Sequence, residues 1–189
     1  MSDQQQPVGR AGRYQRSIAG GVGSLIVLVA VVLAFVGFRA LFRDNEAVEV
    51  EPVDYLSVVA PAQEAGIRIV YPPSLPEGWT PTSVDFVPGT RPAFGVGMLT
   101  DEDLYVGVRQ ADDELATLLE TYVDVDADKG DVVTVEGAIV PEWQEWSDAG
   151  GDHAYSATVG DSEVLVYGSA PTEDLLTIVR SLTDAPVAP

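Results

Sequence analysis

Residues Ala93–Tyr122, AFGVGMLTDEDLYVGVRQADDELATLLETY, contain both periodicities that decide the fold. In Ala93–Leu99 the chain alternates: Phe94, Val96 and Met98 point one way, and Ala93, Gly95 and Gly97 the other. Asp101-Glu102-Asp103 turns the chain. Leu104, Val106 and Val108 then share a face against Tyr105, Gly107 and Arg109, so the pair predicts a β-hairpin. The period changes at once afterwards. Leu115, Leu118, Leu119 and Tyr122 fall at i, i+3, i+4 and i+7, one stripe of a helix. Asp112 is the expected N-cap, and Asp113 and Glu114 suit the positive end of the helix dipole.

The same two signals extend outward. Strands are expected at Ile67–Tyr71, Thr82–Val87, Val132–Val135, Ile139–Ser147, Ala154–Val159 and Glu163–Gly168. A last helix, Thr172–Leu182, has the stripe Leu175, Ile178, Val179 and Leu182, with Thr172 as cap and Arg180 near its C-terminus. The short links leave little room for parallel crossovers. The expected class is therefore α+β, a mainly antiparallel sheet with two amphipathic helices packed on one face, preceded by one transmembrane helix. The expected divisions are a basic arm at 1–16, the span at 17–38, a juxtamembrane linker at 39–66, the acidic domain at 67–183 and a disordered tail at 184–189. Within the linker, Asp54–Gly66 has room for a small helix, interrupted by Pro61.

The span is Ser17–Phe38, SIAGGVGSLIVLVAVVLAFVGF, free of charge and proline. At roughly 1.5 Å per residue a helix of this length crosses a hydrocarbon core about 30 Å thick. It is longer than the core of a cleaved signal peptide, and the following Arg39–Arg43 offers no small-residue cleavage site. Arg10, Arg13 and Arg16 precede it; Arg39 and Arg43 follow. That bias predicts a cytoplasmic N-terminus and an extracytoplasmic C-terminal domain at the cell membrane. Gly23, Val27, Ala30, Ala34 and Gly37 form a small-residue stripe that would suit a homodimer, or simply reflect the composition of membrane helices.

Charge divides the chain at the same place. Residues 1–43 contain five Arg and one Asp, net +4; residues 44–189 contain four Arg, one Lys and 29 acids, net −24, giving the −20 of the whole chain. Such an acidic domain repels nucleic acid and anionic headgroups. The absence of cysteine from the sequence rules out disulfides, thiolate metal sites and cysteine nucleophiles.

Four constellations bear on function. Glu142-Trp143-Gln144-Glu145-Trp146, taken with Trp79, offers a ligand surface of Trp79, Trp143 and Trp146, or core packing; on a strand Trp143 and Trp146 face opposite ways. Glu142 and Glu145 would be the carboxylates of a glycan hydrolase. Asp124, Asp126 and Asp128 resemble the start of a calcium loop, but Lys129 stands where glycine is wanted and Gly130 comes one place late. His153 lies in a polar turn beside Ser147 and Ser156, with no nucleophile elbow. Gly95, Gly97 and Gly107 lack the strand–turn–helix setting of a nucleotide loop and predict an aromatic-covered or close-packed patch. No cofactor motif is present.

The Arg-flanked span, Ile67–Pro72 running into Leu75-Pro76-Glu77-Gly78-Trp79, and Val164–Gly168 leading through Ser169-Ala170-Pro171 to the last helix resemble the actinobacterial membrane-anchored proteins of domain-of-unknown-function family 4245. The resemblance covers most of residues 15–183 and implies a single-pass envelope protein, with no activity attached. The expectation is a non-enzymatic envelope domain that binds a protein or cell-wall partner. A cation-responsive domain and a carboxylate-dependent hydrolase are the alternatives.

Overall fold

The computed structural model describes residues 51–188 and, in the N-terminal part, Val32 alone. The expected span, its orientation and its small-residue stripe lie outside the described residues. Among the described residues no helix is long and apolar enough to cross a membrane.

Seven strands form one antiparallel sheet: β1 (Thr80–Val87), β2 (Ala93–Leu99), β3 (Tyr105–Ala111), β4 (Asp128–Thr134), β5 (Glu142–Ser147), β6 (His153–Val159) and β7 (Ser162–Gly168). Three helices accompany it: α1 (Leu56–Glu64), α2 (Leu115–Tyr122) and α3 (Thr172–Ser181). The spatial order is β1-β2-β3-β7-β6-β5-β4. Two meanders, β1–β3 and β4–β7, thus meet at a single seam where β3 pairs with β7.

The expected hairpin forms with Gly97 opposite Gly107 and Val96 opposite Val108. Thr100 fixes its turn. The buried hydroxyl accepts the N–H groups of Glu102 and Leu104, and Asp103 takes a left-handed φ of 60°. An aspartate tolerates that conformation better than most residues.

The sheet is covered on both faces, which corrects the placement of two helices on one side. Phe94, Val96, Met98, Val106, Val108, Val164 and Val166 share a core with Leu175, Ile178 and Val179 of α3 and with Val59 and Ala62 of α1. The intervening positions Ala111, Ala154 and Leu165 pack instead against Leu118 and Leu119 of α2. Alternation along β3, β6 and β7 puts these sets on opposite faces. Small side chains at 111 and 154 let α2 approach the second face closely.

The N-cap of helix α2 lies two residues later than expected. Glu114 occupies the N-cap with no side-chain bond. Asp112 is engaged elsewhere: its carboxylate accepts Arg91 Nε, and its carbonyl accepts Arg91 Nη2. Similarly Pro171, not Thr172, precedes the first turn of α3.

Residues expected to be linker belong to the core. Tyr55, Val59 and Ala62 are buried, and Pro61 lies on the exposed side of α1. Proline cannot donate to the Ser57 carbonyl, and Ser57 is exposed, so water can serve it. Gly66, at φ +83°, ends the helix, and Ile67 N–H reaches back to the Ala62 carbonyl at 3.0 Å.

Ile67–Tyr71 buries Ile69, Val70 and Tyr71, but it is not a strand of the sheet. The buried amide of Gln110 replaces a ladder: its Oε1 accepts Val70 N–H at 2.7 Å, and its Nε2 donates to the Arg68 carbonyl at 2.9 Å. Tyr71 and Thr183 exchange two backbone bonds of 3.0 Å. Residues 184–187, in the segment expected to be a disordered tail, contact the same region. Gln63 donates to the Ala185 carbonyl and accepts from Val187 N–H, Tyr71 Oη donates to the same Ala185 carbonyl, and Arg68 pairs with Asp184.

Two measurements check these contacts. Gln110→Leu removes the partner of the buried Val70 N–H and of the part-buried Arg68 carbonyl, so urea denaturation should show a loss of about 1–3 kcal/mol. Tyr55, whose hydroxyl donates to the Pro72 carbonyl at 2.7 Å, is pushed up from 10.0 to about 12, first by burial. The folded chain then keeps a proton that the unfolded chain releases. Its contribution is intact below pH 10 and is lost as pH rises towards about 12. Tyr55→Phe should make this alkaline fall in stability shallower than in the parent chain.

Candidate functional site

On the face that carries α2, the half of the sheet formed by β1–β3 is covered by long polar side chains instead of a helix. Three glycines make this possible. A Cβ at Gly107 would stand 2.5 Å from Tyr167 Cζ. One at Gly97 would stand 2.6 Å from Ser83 Oγ and 2.9 Å from Tyr105 Oη, and one at Gly95 would stand 3.0 Å from Arg109 Nη1. Tyr167 is the direct cross-strand partner of Gly107. Two phenols and a guanidinium therefore lie flat on the sheet, as the glycine pattern predicts.

The rings form a bent wall. Tyr167 stands 5.9 Å from Tyr105 at 57° and 5.1 Å from Tyr122 of α2 at 44°. The Arg109 guanidinium sits 5.5 Å from the Tyr122 ring centroid, a cation–π contact. Its Nη1 donates to Asp85 Oδ2 at 2.6 Å from the neighbouring edge of the sheet. Arg109 is only 14% exposed, while Asp85 is 63% exposed. Arg109 Nε is buried with no hydrogen-bond partner. Burial pushes the Tyr167 phenol far above its ordinary value, and the Tyr105 hydroxyl adds to the effect, so it stays neutral. Together these groups enclose an open cleft of ≈ 150 Å³ with Ser83 at its rim. The cleft is lined by no histidine, and its carboxylate is tied to Arg109. Its chemistry is that of holding a ligand: ring faces, hydroxyls and one internally balanced ion pair.

A model of the family described as Protein of unknown function (DUF4245) matches residues 13–182. The chain belongs to the DUF4245 family. No curated protein matches it. The match takes in the whole sheet, all three helices and every residue of the cleft, as well as the apolar segment 17–38.

The residues singled out from the DUF4245 sequence do not converge. Trp143 is fully buried in the α3-side core, its Nε1 donating to the Val140 carbonyl. Trp146 lies on the opposite face, half-buried, donating to Ser156 Oγ at 2.9 Å, with Lys129 Nζ 6.0 Å from its ring. Trp79 precedes β1, five strand steps from β5, or roughly 24 Å at strand spacing. A shared surface of the three indoles is therefore not built. Glu142 and Glu145 project from opposite faces of β5 and do not flank a common bond. Glu145 instead accepts weakly from the Tyr155 hydroxyl at 3.4 Å.

Asp124, Asp126 and Asp128 are exposed. The Asp124 carboxylate accepts Asp126 N–H at 2.8 Å, and among the described residues no group of three metal-ligating side chains converges. His153 is not in the turn but opens β6, half-buried, opposite Ser147. Its Nδ1 is buried without a partner; Ser156 faces the other way and holds Trp146.

Tyr105, Tyr122, Tyr167, Arg109 and Asp85 were not singled out from the sequence. The usable signal was Gly95, Gly97 and Gly107 on the face shared with Tyr105 and Arg109. Gly107→Ala should destabilise the domain by about 1–3 kcal/mol through overpacking. In a double-mutant cycle with Tyr167→Ala, urea denaturation should show coupling of about 0.5–3 kcal/mol, because the second change removes the ring that the methyl meets.

Proposed function

We propose that this protein is a single-pass envelope protein, its N-terminus cytoplasmic, that holds a cell-wall ligand in the cleft between Tyr105, Tyr122, Tyr167 and Arg109. The observation that carries the reading is Arg109. It is nearly buried, pinned by Asp85 and Tyr122, and its Nε has no partner. Keeping a guanidinium under-bonded costs stability, which a merely structural cover of the sheet would avoid by using apolar side chains. The charge-free segment 17–38 supports the anchor, and the family match runs through it. The binding role is non-enzymatic, since the cleft pairs no nucleophile with a base.

Two experiments test this reading. A cysteine at the exposed turn position Asp161, in a chain with no native cysteine, should react with an impermeant maleimide in intact cells. Labelling only after lysis would place the domain in the cytoplasm and end the envelope reading. The purified chain should also be retained on isolated cell walls, and Arg109→Ala should abolish retention. Undiminished retention by a folded Arg109→Ala variant would remove the cleft from the account.

A further inference from the structure

We infer that the cleft takes a neutral sugar ring, the exposed end of a glycan chain; this rests on the binding role proposed above. Charge decides the class of ligand. Arg109 and Asp85 cancel at 2.6 Å, and Tyr167 is held neutral, so the cleft has no net charge to offer.

A cationic ligand would suit three tyrosines in an acidic domain, but the position over Tyr122 is already filled by the guanidinium at 5.5 Å. An anion on the guanidinium would lie beside the Asp85 carboxylate, in a segment of net −24 over residues 44–189. A neutral ligand pays neither penalty.

Shape and donor pattern narrow the choice. At ≈ 150 Å³ the cleft is smaller than the roughly 300–1,000 Å³ of a drug-sized pocket, so it accepts one ring at a time. Tyr105 presents ring surface to the C–H face of such a ring, while Tyr122 is covered by the guanidinium and closes one side. The Arg109–Asp85 pair matches two adjacent hydroxyls, one accepting from the guanidinium and one donating to the carboxylate. Asp85 Oδ1 has no protein partner among the described residues, and the hydroxyls of Ser83 and Tyr105 lie at the same rim. A sugar combines an apolar face with vicinal hydroxyls, which is what these side chains complement.

The test uses the full chain in lipid nanodiscs, free of glycoside detergent. Saturation-transfer NMR and calorimetry are run with the methyl glycosides of glucose, galactose, mannose and arabinose, and with acetate and tetramethylammonium as charged controls. At least one glycoside should bind. Asp85→Asn, which keeps an acceptor for Arg109 at an exposed edge-strand position, should weaken it by about tenfold in a variant that circular dichroism shows to be folded. Tyr155→Phe, on the other face of the sheet, should leave binding unchanged. Binding of acetate or tetramethylammonium with no glycoside overturns the sugar assignment and keeps the cleft as a binding site. Binding by no probe, while cell-wall retention still depends on Arg109, overturns the sugar assignment alone. Binding by no probe with retention indifferent to Arg109 overturns the binding role as well.

Discussion

The pairing of β3 with β7 is the contact on which the rest of the described structure depends. It is the seam between the two meanders, and β3 and β7 are covered on both faces. Near one end of it Gly107 lies opposite Tyr167. The missing side chain lets the phenol lie across the strand, so one cross-strand pair both closes the seam and lays the wall of the cleft. Stability and the proposed binding surface are therefore built from the same residues, and a side chain at 107 would disturb both.

The other face follows a different logic. There α3 and α1 bury aliphatic side chains, and the polar backbone of Ile67–Tyr71 is met by one buried amide, that of Gln110. The placement of the tail follows from the same segment, since Thr183 pairs with Tyr71 and Gln63 bonds residues 185 and 187. One face is thus sealed by hydrophobic packing. The opposite face is sealed by α2 over β7 and left to phenols and an ion pair over β2 and β3.

Legibility in the sequence tracked how much of each element's placement is local. β2, β3, α2 and α3 alternate or stripe strongly, and their positions are readable to within a few residues. The face on which each helix lands is not readable, because β3 and β7 are apolar or small on both sides; only Ala111 and Ala154 hint at a close approach. Ile67–Tyr71 has the composition of a strand, but its partner is a side chain 40 residues away at Gln110. β4 begins at Asp128-Lys129-Gly130-Asp131, which has no apolar alternation and is extended because β5 pairs with it. The glycine patch was readable as an aromatic-covered surface. The cleft itself was not, since Tyr105, Tyr122 and Tyr167 come from β3, α2 and β7 and meet only through the fold.

The central claim is that the tyrosine-walled cleft, and no other surface of the domain, is where this protein meets its ligand. The most direct measurement is residue-resolved NMR of the chain titrated with soluble cell-wall glycan fragments. The account predicts shift changes at the rings of Tyr105, Tyr122 and Tyr167 and at the amides of β2 and β3. Changes centred instead on Trp146 and the groove beside α2, or along the β4 edge, would contradict it.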